Sequence, residues 1–137
     1  MNDQKRLIYS LFFPVFLIIA IWGVKLIEVS SDLSFVEWGI YPKEWYGLKG
    51  ILFSPFIHAD FKHLFNNSVP LFIVSYLLIY FYKEVSYKAF FLIWIITGIW
   101  VWFGARESFH IGASGVVYGI ISFVFFSGII RLSLIHI

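Results

Sequence analysis

The sequence predicts an all-α polytopic membrane protein, and its composition and hydrophobic pattern lead to that fold class. Of its 137 residues, 61% are hydrophobic and only 13% are charged. Its mean hydropathy of +0.87 implies more apolar surface than a soluble domain of this length could bury. The apolar residues are gathered into four uncharged runs, as transmembrane helices require. The small net charge of +2 argues against a nucleic-acid partner, and the lack of cysteine excludes disulfides.

The four runs occupy residues 7–24, 69–82, 89–103 and 112–130. A helix needs about 20 residues to cross the hydrocarbon, so the first and fourth runs are long enough by themselves. The second is long enough only if its helix begins near His63, with a polar start that faces protein or water. The third is short, but tyrosine and tryptophan bracket it, as is typical of a membrane interface. The first run is too long for a cleaved signal peptide and predicts a retained anchor.

The segment between the first two runs, residues 28–62, is rich in aromatic residues that alternate with charges. These aromatics are Phe35, Trp38, Tyr41, Trp45 and Tyr46. The pattern predicts a long first loop that lies in the headgroup region, and an ordinary solvated loop is the alternative. Basic residues divide evenly between the two sides, so only Lys5 and Arg6 beside the first helix favour a cytoplasmic N-terminus. The second and fourth helices then begin on the outer side.

Ser114 opens the fourth run within the stretch Gly112-Ala113-Ser114-Gly115, where small neighbours leave its hydroxyl unshielded. At the first turn of a helix, free backbone N–H groups can receive a developing negative charge, as an oxyanion hole does. Tyr118 lies one turn further along the same face. The alternative is a simple helix cap at Ser114, with glycines that allow close helix packing. Spacing alone favours that alternative over a catalytic serine.

His63 and Asn67 are four residues apart at the start of the second predicted helix, so they share one face. Both side chains can donate hydrogen bonds, and near Ser114 they could stabilise an oxyanion. The alternative is an ordinary polar helix start, capped by Asn66 or Asn67. A metal site is disfavoured, because His58 and His63 are five apart and no acidic ligand stands at helical spacing.

The two polar helix starts together resemble a known family, the rhomboid intramembrane serine proteases. The resemblance rests on the pattern His58-x-x-x-x-His63-x-x-x-Asn67, followed by Gly112-Ala113-Ser114-Gly115-Val116-Val117-Tyr118-Gly119. Either pattern alone is weak, but their order and their positions at the head of two membrane helices are specific. The resemblance implies a rhomboid-like helical bundle in the lipid bilayer of a bacterial plasma membrane. It also implies cleavage of transmembrane protein substrates near the outer face, without metal or cofactor.

The resemblance further implies a role for each site residue. Ser114 would be the nucleophile of a Ser-His dyad, while His63, Asn67 and the Ser114 backbone N–H would form the oxyanion hole. Gly112 would keep the approach to the serine open. Tyr118 would pack against the general-base histidine and hold its ring.

The general base of the family is a histidine on a sixth helix, for which this chain has no counterpart. His136, the only histidine after Ser114, would stand roughly 33 Å away at the far end of the same helix. The last six residues also match the translation of CTG TCT CTT ATA CAC ATC, the end of a transposase adapter used in sequencing libraries. We therefore expect residues 1–131 to be an incomplete rhomboid-type domain, residues 132–137 to be a non-native tail, and the chain as given to be inactive.

The sequence is compatible with two other functions. A non-catalytic rhomboid-like protein that binds transmembrane clients would leave Ser114, His63 and Asn67 without a catalytic use. A transporter or channel fragment is disfavoured, because the sequence predicts no charged residue inside any helix.

Overall fold

The computed structural model describes residues 3–135, which are nearly all helical. The five α-helices are α1 (Asp3–Ser30), α2 (Gly50–Phe53), α3 (Phe61–Phe81), α4 (Ser86–Gly104) and α5 (Ser114–Ile135). All except α2 are long and apolar enough to cross a membrane, which gives four candidate spans within the described residues. The expected all-α membrane bundle is therefore confirmed. Runs 7–24 and 89–103 lie wholly inside α1 and α4, whereas run 69–82 ends one residue past α3 and run 112–130 begins two residues before α5.

The start of α3 is set by a residue that the sequence interpretation passed over. Asp60 has extended backbone, and its carboxylate accepts a hydrogen bond of 2.7 Å from the His63 backbone N–H. This is the usual geometry of an N-terminal helix cap. A cap at Asn66 or Asn67, the alternative that the sequence left open, is wrong because both residues lie within the helix. The backbone hydrogen bond from His63 lowers the pKa of Asp60, so the cap is ionised at neutral pH.

Helix α1 continues past the end of its apolar run, and this added part carries two charged residues, Lys25 and Glu28. Both side chains are buried, and they form an ion pair with an N–O distance of 2.8 Å. The expectation that no charge lies inside a helix is therefore wrong. These charges are paired with each other, which is how buried charges are tolerated in proteins.

Helix α3 is the centre of the bundle and packs between α1 and α5. Its span is 44% buried, whereas that of α4 is only 11% buried. Leu64, Leu71 and Leu78 recur every seven residues and place one buried stripe against Ile21 of α1 and Ile120 of α5. A hydrogen bond of 3.0 Å from the Trp22 indole to the Ser68 hydroxyl adds a polar link between α1 and α3.

Glycines bring α4 and α5 into close contact. A Cβ atom on Gly115 would lie 2.6 Å from a methyl carbon of Thr97, and one on Gly119 would lie 2.4 Å from a methyl carbon of Ile93. Small residues at a membrane helix interface let the backbones approach in this way. The packing interpretation is thus correct for these two glycines.

The loop between α1 and α3 folds as short helical turns against the other helices. Its Ile40 pairs with His110 through two backbone hydrogen bonds of 2.9 and 2.8 Å, as in a two-stranded antiparallel sheet. The Trp94 indole N–H donates to the Ile51 carbonyl at 2.8 Å, which attaches the loop to α4 as well. Trp45 is 82% exposed, so its placement in the headgroup region stays a prediction.

Candidate active site

His63 and Asn67 lie on one face of α3, as their spacing predicts. The Asn67 amide nitrogen donates a hydrogen bond of 3.0 Å to the His63 carbonyl, and Asn67 is buried. This bond fixes the orientation of the amide and uses one of its two N–H groups. The second N–H is left for another acceptor.

Gly112 is the residue that brings the two polar helix starts together. Its φ of +103° lies in the left-handed region, and a Cβ atom there would be 2.8 Å from both Cε1 and Nε2 of His63. The same Cβ would be 3.7 Å from the Asn67 amide nitrogen. The Gly112 backbone N–H donates to the Ser54 carbonyl at 2.8 Å, which anchors this position to the first loop. Only glycine fits here, both for its backbone angle and for the space.

Ser114 is the first residue of α5, two residues beyond that contact, and its side chain is exposed. Its hydroxyl makes no hydrogen bond to residues 4–134, so the simple capping interpretation has no support in the structure. The first backbone N–H groups of a helix have no hydrogen-bond partner within the helix, and they point outward from its N-terminal end. Ser114 also lines a cavity of about 150 Å³ between the first loop, α4 and α5.

Tyr118 lies one helical turn beyond Ser114 and is 70% exposed. Its side chain is therefore open to a further element. Its expected contact with a general-base histidine stays a prediction.

Ala59 orients the His63 ring, a contact that sequence reasoning missed. Its backbone N–H donates to His63 Nδ1 at 3.4 Å, a long hydrogen bond. Because Nδ1 accepts this bond, a neutral His63 carries its proton on Nε2. Nε2 is one of the two ring atoms that face Gly112. The ring is thus arranged as a hydrogen-bond donor toward the segment that leads into Ser114.

Lys25 and Glu28 hold the backbone around this site, and sequence reasoning placed both outside the helices. The Lys25 ammonium donates to the carbonyls of His58 and Ala59, each at 3.0 Å. Glu28 accepts a hydrogen bond of 2.7 Å from the Phe35 backbone N–H. One ion pair therefore connects α1, the first loop and the residues before α3. The spacing Lys25-x-x-Glu28, one helical turn, was the only sequence signal for it.

His58 is buried beside His63, with the two ring centroids 5.0 Å apart. Burial, reinforced by the neighbouring His63, lowers the pKa of His58 to about 4, so its ring is neutral at neutral pH. Neither ring nitrogen has a hydrogen-bond partner within the described residues. The His58 ring packs edge-on against the ring of His63.

The His110 ring is bonded within its own loop, so it is not placed for a catalytic role. Its Nε2–H donates to the Arg106 carbonyl at 2.9 Å, within the loop before α5. Within the described part of the chain, no group of three or more histidine, aspartate or glutamate side chains is placed to hold a metal ion. His136 lies outside the described residues.

The fold and this site define a multi-pass helical membrane protein in which imidazole and amide groups lie against Gly112, two residues before the serine that begins α5. The family model of the Rhomboid domain matches residues 42–136. The chain belongs to the rhomboid family.

Relatives in mycobacteria extend the match. The chain is 31% identical over 112 residues to an uncharacterized protein of Mycobacterium tuberculosis and equally to one of Mycobacterium bovis, covering 77% of this chain and 47% of each relative. An uncharacterized protein of Mycobacterium leprae is 30% identical over 114 residues, or 77% of this chain and 45% of the relative. The chain thus spans about half the length of these relatives. No solved structure matches it.

Proposed function

We propose that this chain carries the nucleophile and the oxyanion-stabilising groups of an intramembrane serine endopeptidase that cleaves transmembrane protein substrates. The observation that carries the proposal is the fit of Gly112 against His63 and Asn67, two residues before the start of α5. A bulkier residue at Gly112 would separate the donors from Ser114. A merely structural helix start would not require imidazole and amide groups to converge there.

In the proposed reaction, the Ser114 hydroxyl oxygen attacks the scissile carbonyl and forms a tetrahedral oxyanion. The oxyanion accepts hydrogen bonds from His63 Nε2–H, from the free amide N–H of Asn67 and from the Ser114 backbone N–H. The orientation of His63 by Ala59 supports its role as donor, because no tautomer change is then needed in the transition state. Loss of one such donor in a serine protease costs about 10²–10³ in turnover.

The proposed reaction also needs a base to take the serine proton. None of the described histidines is suited to this role, since His63 is the proposed donor, His58 is buried and His110 is bonded to a carbonyl. We propose that the base is a histidine on a further helix of the whole protein, packed against Tyr118. On this basis the 137 residues alone do not cleave substrates. We place the protein in a bacterial plasma membrane with a cytoplasmic N-terminus and the site near the outer face.

The test is labelling with a fluorophosphonate probe, which reacts only with an activated serine. The gene would be expressed together with its downstream genomic sequence, and labelling is expected at Ser114. Ser114→Ala should abolish the label, while Ser34→Ala should leave it unchanged because Ser34 is exposed in the first loop. Absence of labelling in a protein with a verified downstream histidine would favour a non-catalytic role that binds transmembrane clients. Ser114-dependent cleavage by the 137 residues alone would contradict the assignment of the base.

A further inference from the structure

A second cavity opens at the other end of the bundle, away from Ser114. It has a volume of about 490 Å³ and lies where the start of α1, the turn between α3 and α4, and the end of α5 meet. Three cationic side chains line it, those of Arg6, Lys83 and Arg131, and Glu84 is the single carboxylate among its lining residues. Cations gathered from three separate parts of the chain therefore face one space.

Two of these cations are held in place by aromatic rings at the end of α3. The Arg6 guanidinium lies 4.6 Å from the centre of the Tyr80 ring, and its Nε and Nη2 both donate to the Tyr80 carbonyl. The Arg131 guanidinium lies 4.6 Å from the centre of the Tyr82 ring. The Tyr82 hydroxyl shares a hydrogen bond with Ser127, which fixes that ring against α5. Both guanidinium groups are thus ordered before any ligand binds.

Among the side chains that the structure describes, no carboxylate pairs with the cations of this cavity. Within residues 4–134 the only ion pair joins Lys25 and Glu28 near the opposite end, so Glu84 pairs with none of the three cations. An arginine stays charged at any physiological pH and keeps further N–H donors after it has bonded to a carbonyl. The cavity therefore offers an anion several unused donors and an excess of positive charge.

The depth and the walls of the cavity indicate what kind of anion it takes. Helix α3 has 21 residues and spans about 31 Å, close to the thickness of the hydrocarbon, so its last residues stand at the headgroup layer. Phe81 and Val85 also line the cavity, and each is about half exposed. They present an apolar rim beside the cations. A ligand that joins a phosphate to acyl chains fits both surfaces.

We propose that this cavity binds the phosphate of an anionic phospholipid, with Arg6, Lys83 and Arg131 as its ligands. The headgroup enters the cavity, and the acyl chains leave along Phe81 and Val85 into the bilayer. Basic pockets between transmembrane helices are suited to such headgroups. The site is independent of proteolysis and would bind lipid whether or not Ser114 is reactive.

Native mass spectrometry of the purified chain in detergent tests the proposal. The chain would be titrated with phosphatidylglycerol, with phosphatidylcholine of the same acyl length and with inorganic phosphate. Retention of one phosphatidylglycerol in preference to phosphatidylcholine is expected. The double variant Arg6→Gln with Arg131→Gln should lose affinity about fivefold for each arginine removed. Lys83→Gln alters an exposed side chain that makes no hydrogen bond or ion pair to the described residues, so it should lose about fivefold by itself and leave the fold intact.

The matched control is the double variant Lys62→Gln with Arg106→Gln. It removes the same charge from exposed positions near the Ser114 end and should keep full lipid preference. An equal loss of lipid preference in this control would mean that total charge, rather than this cavity, determines lipid binding. That result would overturn the proposal. Unchanged preference in Lys83→Gln and in the arginine double variant would overturn it as well. So would displacement of the lipid by inorganic phosphate at equal concentration, since the site would then select a free anion.

Discussion

The two ends of the bundle use charge in opposite ways. Near Ser114, Lys25 and Glu28 are buried and satisfied by each other and by backbone groups of the first loop. At the far end, Lys83 and Arg131 are exposed beside an open cavity and form no ion pair with a described side chain. Buried, satisfied charge fixes backbone, whereas exposed, unsatisfied charge is free to bind a ligand. The end near Ser114 thus has a fixed backbone geometry, whereas the far end presents charge to its surroundings.

The largest effect is expected from Lys25→Met, which leaves Glu28 as a buried charge without its partner. It also removes the donor to two carbonyls before α3. We expect the free energy of unfolding in detergent to fall by about 3–5 kcal/mol. Denaturant titration followed by tryptophan fluorescence measures the change. Lys62→Met, on an exposed side chain, is the control and should change stability little. A loss equal to that of the control would mean that the ion pair does not hold this end together.

The next effect is a pH dependence centred on His58. Its pKa is about 4 in the folded chain and about 6.5 when unfolded, so the unfolded state binds a proton that the folded state excludes. Stability should therefore be constant above pH 7 and fall by up to about 3 kcal/mol as the pH drops from 6.5 to 4. Unfolding curves across this range test it. In His58→Phe, which keeps a ring of similar shape, the slope should be largely absent. A slope equal to that of the parent chain would assign the effect to other groups.

Gly112→Ala should have a smaller effect on stability but a large effect on the site. A non-glycine residue at a φ of +103° is strained by about 1–3 kcal/mol, and the new methyl group would displace the His63 ring. We expect fluorophosphonate labelling to be lost in the full-length protein while the fold survives. Gly128→Ala is the matched control, because no atom lies within 4 Å of its added Cβ. Normal labelling in Gly112→Ala would show that the donors need not approach Ser114 so closely.

The smallest effect is expected at the far end, from Tyr82→Phe. This change removes the hydrogen bond with Ser127 but keeps the ring under Arg131. The expected loss is about 1 kcal/mol in the free energy of unfolding, the usual value for one hydrogen bond. Tyr9→Phe, on an exposed ring of α1, should be neutral. If Tyr82→Phe lowered the free energy of unfolding as much as Lys25→Met, the two ends would not differ in how strongly their polar contacts stabilise the fold.

The helices could be predicted because hydropathy is a local property of the sequence, and each apolar run needs only its own length to be recognised. The joint action of His63 and Asn67 with Ser114 came from the resemblance to the rhomboid family rather than from spacing, and it stays a prediction. The structure places both residues against Gly112, two residues before Ser114. The roles of Lys25 and Ala59 could not be predicted. Lys25 donates to a carbonyl 34 residues further along the chain, and a charge that ends an apolar run looks like a loop residue. The hydrogen bond from Ala59 to His63 spans only four residues, but it depends on a backbone conformation that the sequence does not show. Only the folded chain shows which backbone groups such a charge satisfies.

The backbone pairing of Ile40 with His110 has a consequence for the order of assembly. The two residues are 70 positions apart, so the segment that leads into Ser114 can dock only after α3 and α4 have been made. Closing so long a loop is entropically unfavourable until the intervening helices bring its ends together. The surroundings of Ser114 are therefore among the last parts of this chain to form. In a newly synthesised chain, α3 and α4 are therefore complete before the surroundings of Ser114 can form.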